Sequence, residues 1–292
     1  MAPRKGTIPK TARKTARTAH KRAARRAAEY RKACRRVVRI DPYHDCMLIV
    51  DATGTFFPKG PGAELPVPGG EGILQPILRS AEFFYRPRPV VTETEAEAAI
   101  AVTIEEHKPG HVSYETSYLT TKKGDLLTYE TVRGWKTGLS SKAAFTLREL
   151  KRALKKGGPQ PIFAEHSIAG SEGAKLHPVL RSLPILIRVY KGQEPIPECF
   201  GGFHDACGTY TPLVDKLDKY GFERLIIFGL AEDYCVGETA LQAKKLGYQV
   251  YVVRDGTRAV TKAGQRAMRK KFREAGIPLI HSRQLRRAKQ AA

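Results

Sequence analysis

Three residues able to pass a proton among themselves stand far apart in this sequence, each following an apolar run. Asp51 follows residues 46–50 (Cys-Met-Leu-Ile-Val), Lys191 follows 184–190 (Pro-Ile-Leu-Ile-Arg-Val-Tyr), and Cys235 comes soon after 223–228 (Glu-Arg-Leu-Ile-Ile-Phe). A thiol set between an acid and a base is what covalent hydrolysis of an amide requires. The carboxylate takes the thiol proton, the ammonium favours anionic forms, and sulfur attacks the carbonyl carbon. The link 229–236 (Gly-Leu-Ala-Glu-Asp-Tyr-Cys-Val) leads into residues 236–246, where Ala240, Leu241, Ala243 and Leu246 fall at helical spacing. Cys235 is thus expected where a strand ends and a helix begins. Unpaired N–H groups and the helix dipole favour a thiolate there. By position alone it reads equally as an inert cysteine packed as a small hydrophobe. Lys191 alone reads as a solvated strand-end charge.

A second group has ligand chemistry. Residues 98–104 (Ala-Ala-Ile-Ala-Val-Thr-Ile) are another apolar run, followed at once by Glu105, His107 and His111. A carboxylate and two imidazoles beyond a strand end offer oxygen and nitrogen donors for a divalent metal. Paired surface histidines are the commoner reading of such a stretch. His166 follows residues 161–165 and, taken alone, reads as a hydrogen-bonded structural histidine.

These residues need a sheet to position them. The apolar runs lack polar alternation, as expected of strands covered on both faces, and they alternate with helical patterns. The pattern predicts one α/β domain with three layers, αβα, around a mostly parallel sheet of about six strands. In such a sheet the C-terminal strand ends lie along one edge, where ligands bind. Residues 52–72, rich in Gly and Pro, read as a loop over that edge. Residues 72–79 read as a short helix and 141–156 as an amphipathic helix stopped by Gly157 and Gly158. The rest of 115–160 reads as a polar connection. Residues 184–190 read as the third buried strand. A helix at 211–220, a fifth strand at 248–254, a basic helix at 261–276 and a sixth strand at 277–280 complete the pattern.

The apolar fraction, 41%, is enough for a sizeable core, and no run is long and uncharged enough to span a membrane. The five cysteines are odd in number and include no Cys-x-x-Cys pair, which argues against a disulfide scaffold or zinc ribbon and for a reducing compartment. Net charge is +22, but residues 1–40 hold fifteen Lys/Arg against one acid, Glu29. The expected division is a basic arm, helical or disordered, at 1–40, the α/β domain at 41–282, and a basic tail at 283–292. The arm reads as a phosphate-backbone binder, as a targeting presequence, or as a solvated extension. A cytoplasmic or nuclear location follows from the first and last readings, a mitochondrial one from the second.

In order along the chain, the motifs resemble the nicotinamidase branch of the isochorismatase-like cysteine hydrolases. The likeness rests on residues 48–51 (Leu-Ile-Val-Asp) with Phe56, on Glu105-x-His107-x-x-x-His111-x-Ser113, on residues 165–178 from Glu165-His166 to His177-Pro178, on Lys191-Gly192, and on 229–235. It implies a triad of Asp51, Lys191 and Cys235. It implies a divalent metal, zinc first and iron or manganese as alternatives, held by Glu105, His107 and His166, with His111 a further candidate. It implies a cis peptide at 230–231 that aims the Ala231 N–H, with that of Cys235, at an oxyanion. It implies a ring site walled by Phe56, Phe163 and Phe200, and nicotinamide as the small-molecule substrate. Alternative readings are another small amide as substrate, or an idle domain whose arm binds nucleic acid. A homo-oligomer is open. This chain departs from the family in having Ala52-Thr53-Gly54-Thr55 after the aspartate, Glu105 for the usual Asp, Ser167 for a frequent Cys, and a longer 112–165 connection.

Overall fold

A computed structural model describes residues 10–86 and 98–288. In chain order, α1 (Lys10–Ala33) leads to β1 (Val38–Ile40) and β2 (Asp45–Val50), and α2 (Leu74–Ala81) to β3 (Ile100–Glu105). An insertion carries β4 (Leu126–Leu127), α3 (Tyr129–Val132), α4 (Leu147–Gly157) and β5 (Gln160–Pro161). There follow β6 (Ile187–Lys191), α5 (Leu213–Lys219), β7 (Arg224–Leu230), α6 (Cys235–Lys245), β8 (Gln249–Arg258), α7 (Lys262–Ala275), β9 (Leu279–Ile280) and β10 (Leu285–Arg287).

The central sheet has six strands in the order β6-β3-β2-β7-β8-β9, and every neighbouring pair is parallel. Every residue of β2 and β3 is buried, and β7 is buried from Leu225 onward, so both faces of the sheet are covered. That is the three-layer arrangement expected of uninterrupted apolar runs. The chain fills the sheet outward from β2, first through β3 and β6, then back through β7, β8 and β9. Strand order therefore reverses between β2 and β7, and the crevice beyond their C-terminal ends is where an open parallel sheet binds ligands. Gly229, in β7, holds this junction close. Its φ is +121°, and a Cβ there would lie 1.9 Å from the Val50 carbonyl oxygen.

The structure corrects the sequence reading in places. The run 184–190 is not a strand buried on both faces. β6 is an edge strand, alternately buried and exposed, with Arg188 and Tyr190 outward. The helix placed at 141–156 begins only at Leu147, because Thr146 caps it: its side chain accepts from the Glu149 N–H while Glu149 bonds back to Thr146. The connection read as polar contains a second apolar cluster, in which Tyr118, Leu127, Val132, Phe145, Leu150 and Ile162 pack together. Among the described residues, no helix is long and apolar enough to cross a membrane. The basic ends of the chain also meet, since β1 pairs in parallel with β10.

Candidate active site

Asp51, Glu105 and Lys191 come from neighbouring strand ends. Asp51 is the first residue beyond β2, and Glu105 and Lys191 end β3 and β6 as register partners. Cys235 opens α6, five residues beyond the end of β7. All four side chains are buried, with relative exposures of 0% for Asp51, 3% for Glu105, 2% for Lys191 and 5% for Cys235. Lys191 is their hub. Its Nζ lies 2.9 Å from Asp51 Oδ2 and 3.6 Å from Cys235 Sγ, and it donates to Glu105 Oε1 at 3.0 Å and to the Cys199 carbonyl at 2.8 Å. The approach of Lys191 to Asp51 Oδ2 lacks hydrogen-bonding angles, so that oxygen has no aligned donor. The ligand atoms of Asp51, Glu105 and Cys235 lie within 4.8 Å of one another. The Asp51 oxygen thus remains open to the thiol.

Two devices fix Asp51. The Thr103 hydroxyl donates to Oδ1 at 2.8 Å, and the Asp51 backbone N–H donates to the Thr103 carbonyl. Its φ of +45° is a left-handed conformation that a non-glycine residue adopts only when its surroundings hold it there.

The charges decide the resting state. Burial pushes the Cys235 thiol well above its usual range; Lys191 opposes this, but Asp51 and Glu105 add to it. Cys235 therefore rests as a thiol, not as the thiolate its place at a helix start suggested. A helix terminus contributes only about 0.3–1 kcal/mol, and here burial beside two carboxylates outweighs it. Burial also raises the Asp51 carboxyl, which improves it as a proton acceptor. Burial would drive Lys191 neutral, but Asp51, Cys235 and Glu105 overcome it and hold the ammonium charged. Glu105 is likewise kept ionised against burial by Lys191 and the two imidazoles. One ammonium thus serves two carboxylates, and the cluster carries excess negative charge.

Glu105 also faces the imidazoles. Its Oε2 lies 3.5 Å from His166 Nε2 and 3.8 Å from His107 Nε2, and the three ligand atoms form one group within 4.8 Å. His107 Nδ1 bonds the Gly192 carbonyl at 2.8 Å and His166 Nδ1 bonds the Ala164 carbonyl at 2.8 Å. A carbonyl can only accept, so each Nδ1 carries the proton and each Nε2 is the nitrogen turned toward Glu105, the orientation seen in metal-ligating histidines. Burial lowers the His107 imidazole, whereas at His166 Glu105 overcomes burial and raises it. His107 Nε2 is buried with no hydrogen-bond partner. An orphaned lone pair, excess negative charge and an N,N,O donor set fit a divalent cation.

His111 behaves differently. Its ring stacks on His107 with centroids 3.8 Å apart, and the Ser113 N–H points at its Nδ1 from 3.3 Å. A donor at Nδ1 favours the proton on Nε2. The ligand atom of His111 groups with those of His107 and Glu198, not with Glu105. Glu198 is buried and was missed in the sequence, where nothing around it signals a role.

Phe163 and Phe200 meet edge to face with ring centroids 6.5 Å apart, and Phe163 meets the His166 ring edge-on at 5.7 Å. Tyr234, also missed, joins them at 6.1 Å from Phe163 and 5.7 Å from Phe200. Its place beside Cys235 in the chain was the available signal. Phe56 is buried within the main core and makes no ring contact with this trio among the described residues. The Leu230–Ala231 peptide is cis, as the resemblance implies. Gly192 has φ +72°, and a Cβ there would lie 2.5 Å from His107 Cε1. Gly192→Ala is expected to displace the ring and strain the backbone, lowering stability by about 1–3 kcal/mol in a denaturant titration.

Residues 147–284 match the isochorismatase domain. That match takes in Lys191 and Cys235 and starts beyond Asp51 and Glu105, and over this stretch the chain is similar to that family. Its relatives include the nicotinamidase of Escherichia coli, 41% identical over 105 residues, an alignment covering 36% of this chain and only 49% of that protein. The nicotinamidase of Acinetobacter baylyi is 26% identical over 252 residues, covering 85% of this chain and 98% of its own. Among solved structures, PnC1 from L. infantum in complex with nicotinate has a TM-score of 0.62 at 23% identity, covering 86% of this chain and 99% of that one. The pyrazinamidase of Pyrococcus horikoshii, solved with zinc, has a TM-score of 0.55 at 21% identity, covering 82% and 99%. At these identities the two structures bear on the fold.

Proposed function

We propose that this chain hydrolyses nicotinamide to nicotinic acid and ammonia through a thioester on Cys235, as a step in NAD salvage. The observation that carries the reading is Lys191 Nζ lying within 3.6 Å of Asp51, Glu105 and Cys235 at once, in a buried cluster that adjoins the imidazoles of His107 and His166. Asp51 takes the thiol proton as sulfur attacks the carboxamide carbon. The Ala231 and Cys235 N–H groups receive the oxyanion. Asp51 returns its proton to the amine as the C–N bond breaks, and ammonia leaves. Asp51 then takes a proton from water, which attacks the thioester and releases nicotinic acid, and the thiol is restored. Lys191 keeps Glu105 ionised throughout and favours the Asp51 carboxylate each time that residue is to accept a proton. Phe163, Phe200 and Tyr234 offer the aromatic surface on which a pyridine ring would lie, with Phe56 a more remote wall.

Glu105, His107 and His166 would hold the metal, zinc in the first instance, with His111 and Glu198 behind them. Bound there, the ion would engage the pyridine nitrogen and withdraw electron density from the ring. His107→Ala is expected to cut metal content from about one ion per chain to near zero by elemental analysis, and to lower kcat/KM by at least about 100-fold. Full metal retention would remove His107 from the ligand set. Nicotinamide turnover read as ammonia release tests the activity itself.

A further inference from the structure

The most strongly charged part of the sequence plays no part in this chemistry, and the structure gives it a definite form. β1 and β10, from opposite ends of the chain, pair in parallel with Val38 opposite Leu285, Arg39 opposite Arg286 and Ile40 opposite Arg287. Val38, Ile40 and Leu285 are buried in the main core, so the pair is seated firmly. Gln284 fastens the approach to it, donating to the carbonyls of Cys34 at 3.1 Å and Arg36 at 2.8 Å. The Ala288 N–H donates to the Ile40 carbonyl beyond it.

Around this pair Arg35, Arg36, Arg39, Arg283, Arg286 and Arg287 are all exposed, with Arg39 and Arg286 on its outer face and Arg287 opposite Ile40 on the other. Among the described residues none of them forms an ion pair with a carboxylate; Arg287 donates to the Tyr85 carbonyl and Arg286 to those of Arg283 and Leu285. Arg39 and Arg286 are direct cross-strand neighbours on one face. Like charges placed directly opposite each other destabilise a strand pair. A local choice that weakens the fold is the kind reserved for a binding surface. α1, with Arg31 and Lys32 in its last turn, runs into the same place and continues the positive charge toward the N-terminus.

We propose that the β1–β10 pair and the α1 arm together bind the phosphate backbone of nucleic acid. Arg39 and Arg286 on a fixed strand pair, with further exposed guanidiniums flanking it, provide the planar forks that match phosphate oxygens. Binding of this kind reads no sequence and depends on counterion release. An anionic membrane is the lesser fit, because a helix lying in a lipid interface needs a broad apolar face. The described side chains of α1 from Arg22 onward offer only alanines and Tyr30 among charged residues.

The test measures fluorescence anisotropy of a short labelled DNA duplex and, separately, a single-stranded RNA, with the full chain between about 50 and 200 mM salt. Wild type is expected to bind at least one of the two with a steep log–log salt dependence. Arg39→Gln/Arg286→Gln is expected to lower the DNA slope by about 1.8, which is about 0.9 for each phosphate no longer engaged, and to weaken binding roughly tenfold at the low-salt end. Both side chains are exposed and mutually repelling, so the melting temperature should hold or rise and the hydrolytic activity should not change. If the double variant fails to fold, each single variant should show a slope reduced by about 0.9. An unchanged slope in a folded variant, no salt-sensitive binding of either probe by wild type, or capture only by phosphatidylserine vesicles would each overturn the proposal.

Discussion

Cys235→Ala should abolish ammonia release from nicotinamide while leaving the fold intact. The substitution removes one sulfur from a buried site. The protein should melt within a few degrees of wild type and retain its metal. Loss of a covalent nucleophile typically costs at least about 10⁴-fold in kcat, and residual turnover comes only from bound water and the oxyanion donors. Cys235→Ser should do no better than a small residue of the wild-type rate. Asp51 is suited to receive a thiol proton, but an alcohol gives up its proton far less readily. A Cys235→Ala protein that still releases ammonia at more than about one hundredth of the wild-type rate would exclude the thioester route.

Lys191→Met carries the second large effect, on both stability and activity. The ammonium is the one cation that the described structure places within 4 Å of both Asp51 and Glu105. Removing it leaves two buried carboxylates facing one another, and breaking a buried pair in this way costs about 3–5 kcal/mol. The variant should relieve the repulsion by taking up a proton. Its stability should therefore depend on pH with a definite sign. With Lys191 present, Glu105 is held well below its usual range. A depressed folded-state carboxyl contributes stability above the unfolded pKa, and that contribution is lost as pH falls through the folded value. Without Lys191 the carboxyls rise above their unfolded values, so the variant should become less stable as pH rises. Urea unfolding at a series of pH values reads this directly. A Lys191→Met protein as stable as wild type at neutral pH, with no such slope, would show that the lysine does not carry the charge balance. Activity should fall at least about 10³-fold, since a proton already on Asp51 prevents it from taking one from sulfur.

Much of this centre was legible in the sequence because it follows from how parallel sheets are built. Each uninterrupted apolar run ends at a polar residue, and parallel strands bring those ends to one edge. Asp51, Glu105 and Lys191 could be placed that way, and Cys235 by the change from strand to helix. The family resemblance supplied what spacing alone did not, namely His166 and the cis bond at Leu230–Ala231. Some features had no local signal. β1 and β10 are three residues each and lie at opposite ends of the chain, so nothing near either one announces its partner. Glu198 is buried beside His107 and His111 through folding of a segment without regular structure. The second apolar cluster was hidden by the polar residues around it. The protonation state of Cys235 was misread for an energetic reason. Helix position is visible in sequence, whereas two carboxylates in a dry pocket are visible only once the strands have met.

One methylene separates Glu105 from the aspartate usual at its position, and the structure gives that length a use. Oε1 reaches Lys191 at 3.0 Å while Oε2 stays on the imidazole side, 3.5 Å from His166 Nε2. One carboxylate therefore joins the Asp51–Lys191–Cys235 cluster to the imidazoles of His107 and His166.

Turnover of nicotinamide by the purified full chain, with metal quantified on the same sample, tests the central claim most directly. The expected result is equal amounts of ammonia and nicotinic acid from protein carrying about one divalent ion per chain, with neither product formed after Cys235→Ala. Folded, metal-loaded wild-type protein that releases no ammonia from nicotinamide would contradict it.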